Sequence, residues 1–492
     1  GNYYNLTATN EGLYYVAASF RTPGHLKFFD LKDKKETETG DINSYSISNN
    51  QKKIIFKKGD DFFIEDVSKI KIEAKNKLNL SGLKINTDLH AEWKQIFDES
   101  WRQMRDYFYD PNMHGVNWKA MHDKYAVLLP YVNHRNDLTY IIGEMIGELS
   151  IGHAYVNSGD RPEVERIKMG LLGATFSRDK SGYYKIDSIL SGESWDKTLV
   201  SPLRQPGVNV KKGDYIISIN GKDVSRLDNI YQALIGKANQ AIEILVNSKA
   251  SVTGSRKVFV KPIDDESNLY YHEWVQQNIA KVTKASGGKI GYLHIPDMGP
   301  EGLNQFARYF YPQLDKEALI IDDRGNGGGN VSPMIIERLR RVPGLGTMMR
   351  NAKTANIKPD AQVGPKICLI DQYSASDGDL FPYQFQFYKI GPLLGQRTWG
   401  GVVGIRGSLP FIDGADMRKP EFAHFAADGS KFVIEGYGVD PDIEVVNDPH
   451  QEYLGNDIQL LRAIEEMKRK LAEPGPKGVP PIPAFPDKSG KK

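Results

Sequence analysis

Residues 370–405, IDQYSASDGDLFPYQFQFYKIGPLLGQRTWGGVVGI, combine the end of a strand, a tight turn and the start of a helix. The apolar run at 366–370 is typical of a buried strand, and aromatic residues between 378 and 389 recur with helical spacing. This pattern places Ser376 at a helix N-terminus, where free N–H groups and the helix dipole favour developing negative charge. Such a position suits a nucleophilic serine, and the alternative is a serine that only caps the helix.

Three further stretches combine small residues with a chemically active side chain. They are a strand running into a glycine-rich loop at 320–330 (IIDDRGNGGGN), a histidine at 148–156 (ELSIGHAYV) and a carboxylate beside a turn at 434–442 (IEGYGVDPD). In this order the four motifs resemble those of the tricorn protease family, serine peptidases related to the carboxy-terminal processing proteases. The resemblance extends from about residue 88 to 470.

The resemblance implies a role for each candidate site residue. Ser376 corresponds to the nucleophile, and His153 to the general base that a serine hydroxyl needs. Glu435 matches the acidic group that orients the base. The N–H groups of Asp377 and Gly329 correspond to the oxyanion hole.

The sequence departs from the family pattern beside the histidine. The family has a serine there, whereas this chain has Gly152, so one hydroxyl is missing. We expect Glu435 to act with a neighbouring hydroxyl on the far nitrogen of His153, with Ser150 or a water as the substitute.

Two other comparisons with relatives shape the expected chemistry. The wider group's bacterial enzymes use a serine–lysine dyad, but the corresponding stretch here, 398–402, has no lysine, which favours the histidine-based version. Tricorn selects basic residues with an aspartate after its glycine loop, and residues 339–358 contain no Asp or Glu. We therefore expect small or apolar residues before the cleaved bond.

A phosphate-binding loop is the alternative interpretation of GNGGGN. Asn330 and the absence of a following Lys-Ser/Thr argue against it.

The periodicity predicts a multidomain α/β protein with a largely parallel sheet, in which the loops carrying Gly329 and Ser376 both follow the carboxyl ends of strands. Strands are also predicted at 13–17, 26–31, 54–56 and 62–66. Helices are predicted from Leu89 to Asp110, where an aromatic stripe from Trp93 to Phe108 is expected in the core, and at 118–128 and 137–149. The expected order is a β-propeller blade remnant (1–67), a linker (68–87), a helical subdomain carrying His153 (88–160), a PDZ-like domain (165–262), an α/β catalytic subdomain of crotonase-like or ClpP-like type carrying Ser376 (267–472) and a disordered tail (473–492). A small β-sandwich is the alternative for the first segment. Because a propeller needs several blades, we expect the chain to be the C-terminal portion of a longer protein.

The PDZ-like assignment depends on two stretches. Residues 212–224 match the PDZ consensus, and Gly170, Leu171, Leu172 and Gly173 resemble its carboxylate-binding loop, with a helix predicted at Leu227–Ile235. In such domains a peptide end adds to a sheet edge while loop N–H groups hold its carboxylate. The alternative is a PDZ fold used as a rigid spacer.

Composition excludes several other classes of protein. A net charge of +2 argues against an electrostatically driven nucleic-acid binder. The single cysteine, Cys368, excludes an intrachain disulfide framework and is expected to pack within a strand. No apolar run reaches the length of a membrane span, and no signal peptide is visible. By resemblance the compartment is the cytoplasm, with an exported location left open.

The sequence thus predicts a serine endopeptidase that cleaves oligopeptides or unfolded proteins through an acyl-enzyme on Ser376. No metal or organic cofactor is implied, and neither nucleic acid nor membrane is an expected partner. The resemblance implies a homo-oligomer, a hexamer in tricorn. The alternatives are a catalytically impaired PDZ scaffold that binds peptides, and a protease that processes protein C-termini.

Overall fold

The computed structural model of the chain describes residues 2–19, 22–67, 77–162, 164–350, 356–357, 361–474 and 482–490. The chain divides into two compact units, residues 1–88 and 89–492. No described helix is both long enough and apolar enough to cross a membrane.

The first unit is built from antiparallel strands in two sheets. One contains β1 (Asn2–Ala8), β2 (Gly12–Ser19), β3 (Thr22–Asp30) and β4 (Lys35–Asp41), and the other β5 (Ser44–Ile47), β6 (Lys53–Lys58) and β7 (Asp61–Asp66). The predicted strands β2, β3, β6 and β7 are confirmed. Strands β1 and β4 were not predicted. β4 has no large apolar residue, and Tyr3, Tyr4 and Leu6 of β1 are exposed and do not alternate regularly with polar residues. Both sheets are open over the described residues. Of the predicted linker, residues 68–76 lie outside the described residues.

The second unit begins with three helices that the sequence predicted, α1 (Leu89–Tyr107), α2 (Trp118–Ala126) and α3 (Arg135–Gly147). The aromatic stripe of α1, including Trp93 and Phe97, is buried in the core as expected. Val403 and Met417, from far along the chain, complete this core. The helices therefore fold against the segment that follows the Ser376 motif.

A six-stranded antiparallel sheet follows the short strand β8 (Tyr155–Val156). It contains β9 (Ala174–Arg178), β10 (Tyr184–Ile189), β11 (Tyr215–Ile219), β12 (Lys222–Asp223), β13 (Ile242–Asn247) and β14 (Arg256–Val260), in the order β14-β13-β11-β10-β9 with β12 on β11. The α-helix predicted at Leu227–Ile235 is wrong, because this stretch contains only a 3-10 turn at Ile230–Ala233. The side chain of Asn229 accepts a hydrogen bond from the N–H of Tyr231, a local bond that favours a short turn over a helix.

The remaining elements alternate between helices and strands. In order they are α4 (Ser267–Ser286), β15 (Ile290–His294), α5 (Pro300–Phe310), β16 (Ala318–Asp322), α6 (Ser332–Leu339), β17 (Gly346–Thr347), β18 (Asn356–Ile357), β19 (Lys366–Ile370), α7 (Asp377–Phe387), β20 (Leu393–Gly395), β21 (Gly404–Arg406), β22 (Met417–Phe422), β23 (Ile443–Glu444), α8 (Pro449–Tyr453) and α9 (Ile458–Ala472). Of the predicted disordered tail, residues 475–481 and 491–492 lie outside the described residues, and 482–490 form no helix or strand.

Five of these strands form the predicted parallel sheet, in the order β15-β16-β19-β20-β23. Successive side chains point to opposite faces, so Leu319 and Ile321 join the core under α5, α6 and α7, whereas Ala318 and Ile320 join the core under α4 and α9. Cys368 is buried in β19, as expected. The glycine loop follows β16 and the Ser376 turn follows β19, which are adjacent strands, so both loops lie at the carboxyl edge of the sheet.

Candidate active site

Ser376 lies in a sharp turn between β19 and α7, with φ 58° and ψ −118°. A non-glycine residue with this backbone conformation is strained, and such strain is concentrated at functional sites. An ordinary N-cap is extended, and its side chain accepts a hydrogen bond from the first helical turn. The Ser376 side chain makes no capping bond. The geometry therefore disagrees with a plain cap and matches a half-buried nucleophile on a strand-to-helix turn.

The glycine loop packs directly against this turn. The N–H of Ala375 donates to the carbonyl of Asn326 at 2.9 Å. A Cβ atom on Gly328 would lie 2.6 Å from the Cβ of Ser376, so only glycine leaves the turn undisturbed. The N–H of Met298 donates to the Gly328 carbonyl at 2.8 Å, which fixes the loop against the end of β15.

Two N–H groups beside Ser376 lack an acceptor within the described residues: those of Gly329 and Asp377. Asp377 is the first residue of α7, where an N–H has no partner within the helix. The bonds that hold the glycine loop to Met298 use Gly328 and Asn330, so they leave the Gly329 N–H unused. Unpaired donors next to a nucleophile are what an oxyanion hole requires.

The side chain of Asp377 has a different partner. It is buried and accepts hydrogen bonds from the backbone N–H and the hydroxyl of Ser332 at the start of α6. Burial raises the pKa of Asp377, and the Ser332 bonds oppose that rise. The contact ties the start of α7 to the start of α6 and so holds the Ser376 turn against the glycine loop.

His153 is only 7% exposed and lies against the segment 398–403. Its Nδ1 is 2.7 Å from the carbonyl oxygen of Val403. Its ring meets the Trp399 ring edge to face, with 5.8 Å between the centroids. The N–H of Trp399 in turn donates to the carbonyl of Ser374 at 3.0 Å, two residues before Ser376. The fold thereby brings His153 and the Ser376 turn to the same segment.

Glu435 reaches that segment from another side. Its Oε2 accepts hydrogen bonds from the N–H groups of Val402 at 2.7 Å and Val403 at 2.8 Å. The hydroxyl expected on the far nitrogen of His153 is absent, because Nδ1 bonds the Val403 carbonyl instead. Ser150 is exposed, and its side chain has no hydrogen-bond partner within the described residues. Ser150 is therefore not the substitute that the sequence suggested.

The electrostatics suit a neutral histidine. Burial lowers the pKa of His153, while the Val403 carbonyl and the charge of Glu435 oppose this shift. Because Nδ1 faces a carbonyl, which can only accept, the proton of the neutral ring lies on Nδ1. Nε2 then carries the lone pair that a general base needs.

Comparison with known proteins identifies the family of this chain. Three family descriptions match the second unit: the tricorn protease C1 domain at 89–147, the tricorn protease PDZ domain at 170–265 and peptidase family S41 at 289–445. A solved structure titled as the crystal structure of the tricorn protease matches 96% of this chain with a TM-score of 0.88 at 30% identity. This chain belongs to the tricorn protease family.

Named tricorn relatives are found in archaea and bacteria. The chain is 37% identical over 461 residues to a tricorn-like protease C-terminal subunit of Sulfurisphaera tokodaii, covering 92% of this chain and 53% of that protein. It is 36% identical to tricorn protease homolog 1 of Streptomyces coelicolor, covering 82% of this chain and 38% of that one. For tricorn protease of Thermoplasma volcanium the identity is 34%, with 89% and 42% covered. The chain thus spans about half the length of these relatives, or less, and 47% of the solved tricorn chain.

Two titratable groups close to the candidate site were not predicted from the sequence. Asp379 is buried, accepts a hydrogen bond from the N–H of Gly400 at 2.7 Å, and has its pKa raised by burial to about 6. Burial lowers the pKa of His424, while the nearby carboxylates of Asp377 and Glu435 oppose this. The repeated aspartates of SDGD were a usable signal for Asp379, whereas FAHF around His424 contains no recognisable motif.

Three of the four N–H groups in the predicted carboxylate-binding loop are bonded within the chain itself. The N–H of Leu171 donates to the carbonyl of Ile263 at 2.7 Å, and that of Gly170 to the carbonyl of Leu234 at 2.8 Å. The N–H of Gly173 donates to the carboxylate of Glu266 at 3.1 Å. Glu266 is buried, and burial raises its pKa. An internal carboxylate thus holds one of the N–H groups expected to receive a peptide end.

Proposed function

We propose that this chain hydrolyses peptide bonds by nucleophilic catalysis at Ser376, with His153 as general base. The observation that carries this is the Ser376 turn: a strained serine whose side chain makes no capping bond, flanked by two N–H groups that lack an acceptor in the described part of the chain. A binding scaffold has no need of that combination. The S41 peptidase match at 289–445 covers the same turn and supports the proposal.

We infer the following reaction for these groups. The Ser376 oxygen bonds to the carbonyl carbon of the substrate peptide while its proton passes to Nε2 of His153. The N–H groups of Asp377 and Gly329 donate to the oxyanion. His153 then protonates the leaving amine as the C–N bond breaks. A water molecule, deprotonated by His153, attacks the Ser376 ester and releases the carboxylic acid and the free serine.

The finer properties of the enzyme are proposals supported by likeness. Endopeptidase action on oligopeptides or unfolded chains, assembly into a hexamer and a cytoplasmic location follow the tricorn resemblance. The two open sheets of residues 1–88 are proposed to be part of a propeller completed by further blades. The domain boundaries at 88–160, 165–262 and 267–472 stay predictions, as does the preference for small or apolar residues at the cleaved bond.

A fluorophosphonate probe tests the catalytic proposal directly. We expect the wild-type chain to be labelled and Ser376→Ala to lose all labelling, together with cleavage of a fluorogenic peptide panel. Ser430→Ala, an exposed serine in a turn, is the matched control and should behave like wild type. Labelling that survives in Ser376→Ala would contradict the assignment, and a wild-type chain without labelling or cleavage would favour the peptide-binding scaffold.

A further inference from the structure

The partner of the His153 ring is a backbone atom in this chain. Nδ1 lies 2.7 Å from the carbonyl oxygen of Val403, a distance typical of a good hydrogen bond. Catalytic histidines of this kind need a group that fixes the tautomer and the ring orientation. A carbonyl performs both tasks, because it accepts only from a protonated Nδ1 and does so in a defined direction.

The carbonyl of Val403 is itself held in place. Glu435 accepts the N–H groups of Val402 and Val403 through one oxygen, at 2.7 and 2.8 Å. The Val402 side chain packs in the core of the parallel sheet, and the Val403 side chain packs in the core of the three helices. The backbone that orients the base is therefore fixed by a charge and by two separate cores.

We propose that the Val403 carbonyl, positioned by Glu435 through the N–H groups of Val402 and Val403, replaces the side-chain hydroxyl that Gly152 lacks. This inference rests on the proposed function, in which His153 is the base. Glu435 is then a positioning residue that acts on His153 through the backbone, without touching it. Its charge still raises the pKa of His153 and so favours the imidazolium.

The environment of Gly152 is consistent with this replacement. A Cβ built there would contact only Cζ2 of Trp399, at 3.8 Å, which is ordinary van der Waals contact. Gly152 does not have the positive φ that would require glycine. A serine therefore fits at this position, so Gly152→Ser tests the replacement without steric disturbance.

The tautomer can be measured without any reference to activity. In the full chain labelled with ¹⁵N-histidine, and with His153→Gln used to assign the signal, we expect a protonated Nδ1 and an unprotonated Nε2 at alkaline pH. Glu435→Gln keeps an acceptor oxygen for the two N–H groups, so the tautomer should persist. A proton on Nε2 in the wild type would overturn the proposal even if peptide cleavage is confirmed.

Kinetics separate positioning through the backbone from direct contact. Neutralising a carboxylate that touches the base directly lowers kcat by about 10⁴-fold through the wrong tautomer. Here we expect Glu435→Gln to lower kcat only about 10-fold with KM unchanged, because the carbonyl still selects the tautomer. Removing the charge also lowers the pKa of His153, so the acidic limb of the pH profile should move to lower pH. A loss near 10⁴-fold would show direct contact and overturn the inference.

Two further variants complete the test. Gly152→Ser should leave kcat within about twofold of wild type, since Nδ1 is already bonded. A rise of about tenfold or more would mean that the hydroxyl is truly missing and would contradict the proposal. Glu444→Gln, an exposed carboxylate on β23, is the matched control for charge loss and should change neither the tautomer nor kcat. Absence of cleavage in the wild type as well as in every variant, with the tautomer as expected, would count against the proposed function alone.

Discussion

At the scale of single residues, the glycine loop shows how little room surrounds the nucleophile. Gly327 and Gly328 are neighbours, yet their surroundings differ. A Cβ on Gly328 would meet Ser376 at 2.6 Å, and its φ of +83° disfavours any side chain. Gly327 has open space around its Cβ position and no positive φ. Substitutions at the two positions therefore distinguish the steric requirement for glycine beside Ser376 from the general flexibility of the loop.

Gly328→Ala should displace the Ser376 turn, lowering kcat/KM by about 100-fold or more and stability by about 1–3 kcal/mol. Gly327→Ala should leave both nearly unchanged. Peptide cleavage and urea unfolding of the two variants measure the contrast. Equal effects of the two substitutions would show that the contact with Ser376 is unimportant.

Asp379 provides a pH-dependent prediction at the same scale. Its pKa is about 6 in the folded chain against an ordinary value of 3.8, so the folded state binds the proton more tightly than the unfolded state. Stability from this group therefore falls as pH rises from about 4 through about 6 and stays constant above that. The full effect is at most about 3 kcal/mol, from roughly two pH units. Urea unfolding at pH 4.5 and 8 should show that Asp379→Asn loses less stability over this range than wild type.

At the scale of elements, the PDZ-like sheet has a peptide loop but keeps it closed. The strand order β14-β13-β11-β10-β9 leaves β9 at an edge, directly after the loop, where a peptide could add. Three of the four loop N–H groups, those of Gly170, Leu171 and Gly173, are nevertheless bonded to Leu234, Ile263 and Glu266. The contacts favour the spacer interpretation of this domain, because its own residues take the place of a ligand.

Glu266→Ala should open the loop to a peptide carboxylate. We expect the wild type to bind a labelled peptide with a free C-terminus more weakly than about 1 mM, and the variant to gain measurable affinity that amidation of the peptide abolishes. Fluorescence anisotropy on Ser376→Ala backgrounds avoids cleavage during the measurement. Asp228→Ala, exposed in the same domain, is the control. Tight, carboxylate-dependent binding by the unaltered loop would refute the closed state.

At the scale of the second unit, distant parts of the chain assemble the site together. Arg135 at the start of α3 pairs with Asp413 at 2.7 Å, and their side chains are 3% and 1% exposed. The pair joins the helices that precede His153 to the chain between β21 and β22. Strand β22 in turn pairs with β8, immediately after His153.

Removing one partner of this buried pair should be costly. Arg135→Ala leaves Asp413 charged and buried, so we expect a stability loss of about 3–5 kcal/mol and a parallel loss of peptide cleavage. The exposed pair Lys119–Asp123 on α2 is the matched comparison, and Lys119→Ala should cost less than about 0.5 kcal/mol. Thermal unfolding measures both variants, and a small effect at Arg135 would show that the pair does not hold these elements together.

The sequence alone determined the local architecture. Apolar runs that end in glycine-rich or small-residue turns predicted β16 and β19. The sequence therefore also predicted that the glycine loop and Ser376 lie at the same edge of the sheet. The apolar stripe of the helix around Trp93 could also be predicted. Strand and helix patterns both depend on residues close together in the chain. The failed helix at Leu227–Ile235 shows the limit of such patterns, since the same apolar residues can be buried by a short capped turn.

Only the tertiary structure decided how the base is held. The partner of His153 is a main-chain oxygen 250 residues away, and every residue carries such an oxygen, so no side-chain pattern can mark it. The same holds for Glu435, whose contacts are backbone N–H groups. The sequence specifies which side chains are present, and so their chemistry. The direction of the Val403 carbonyl is set only when the chain folds, because the packing of two hydrophobic cores fixes the backbone between them.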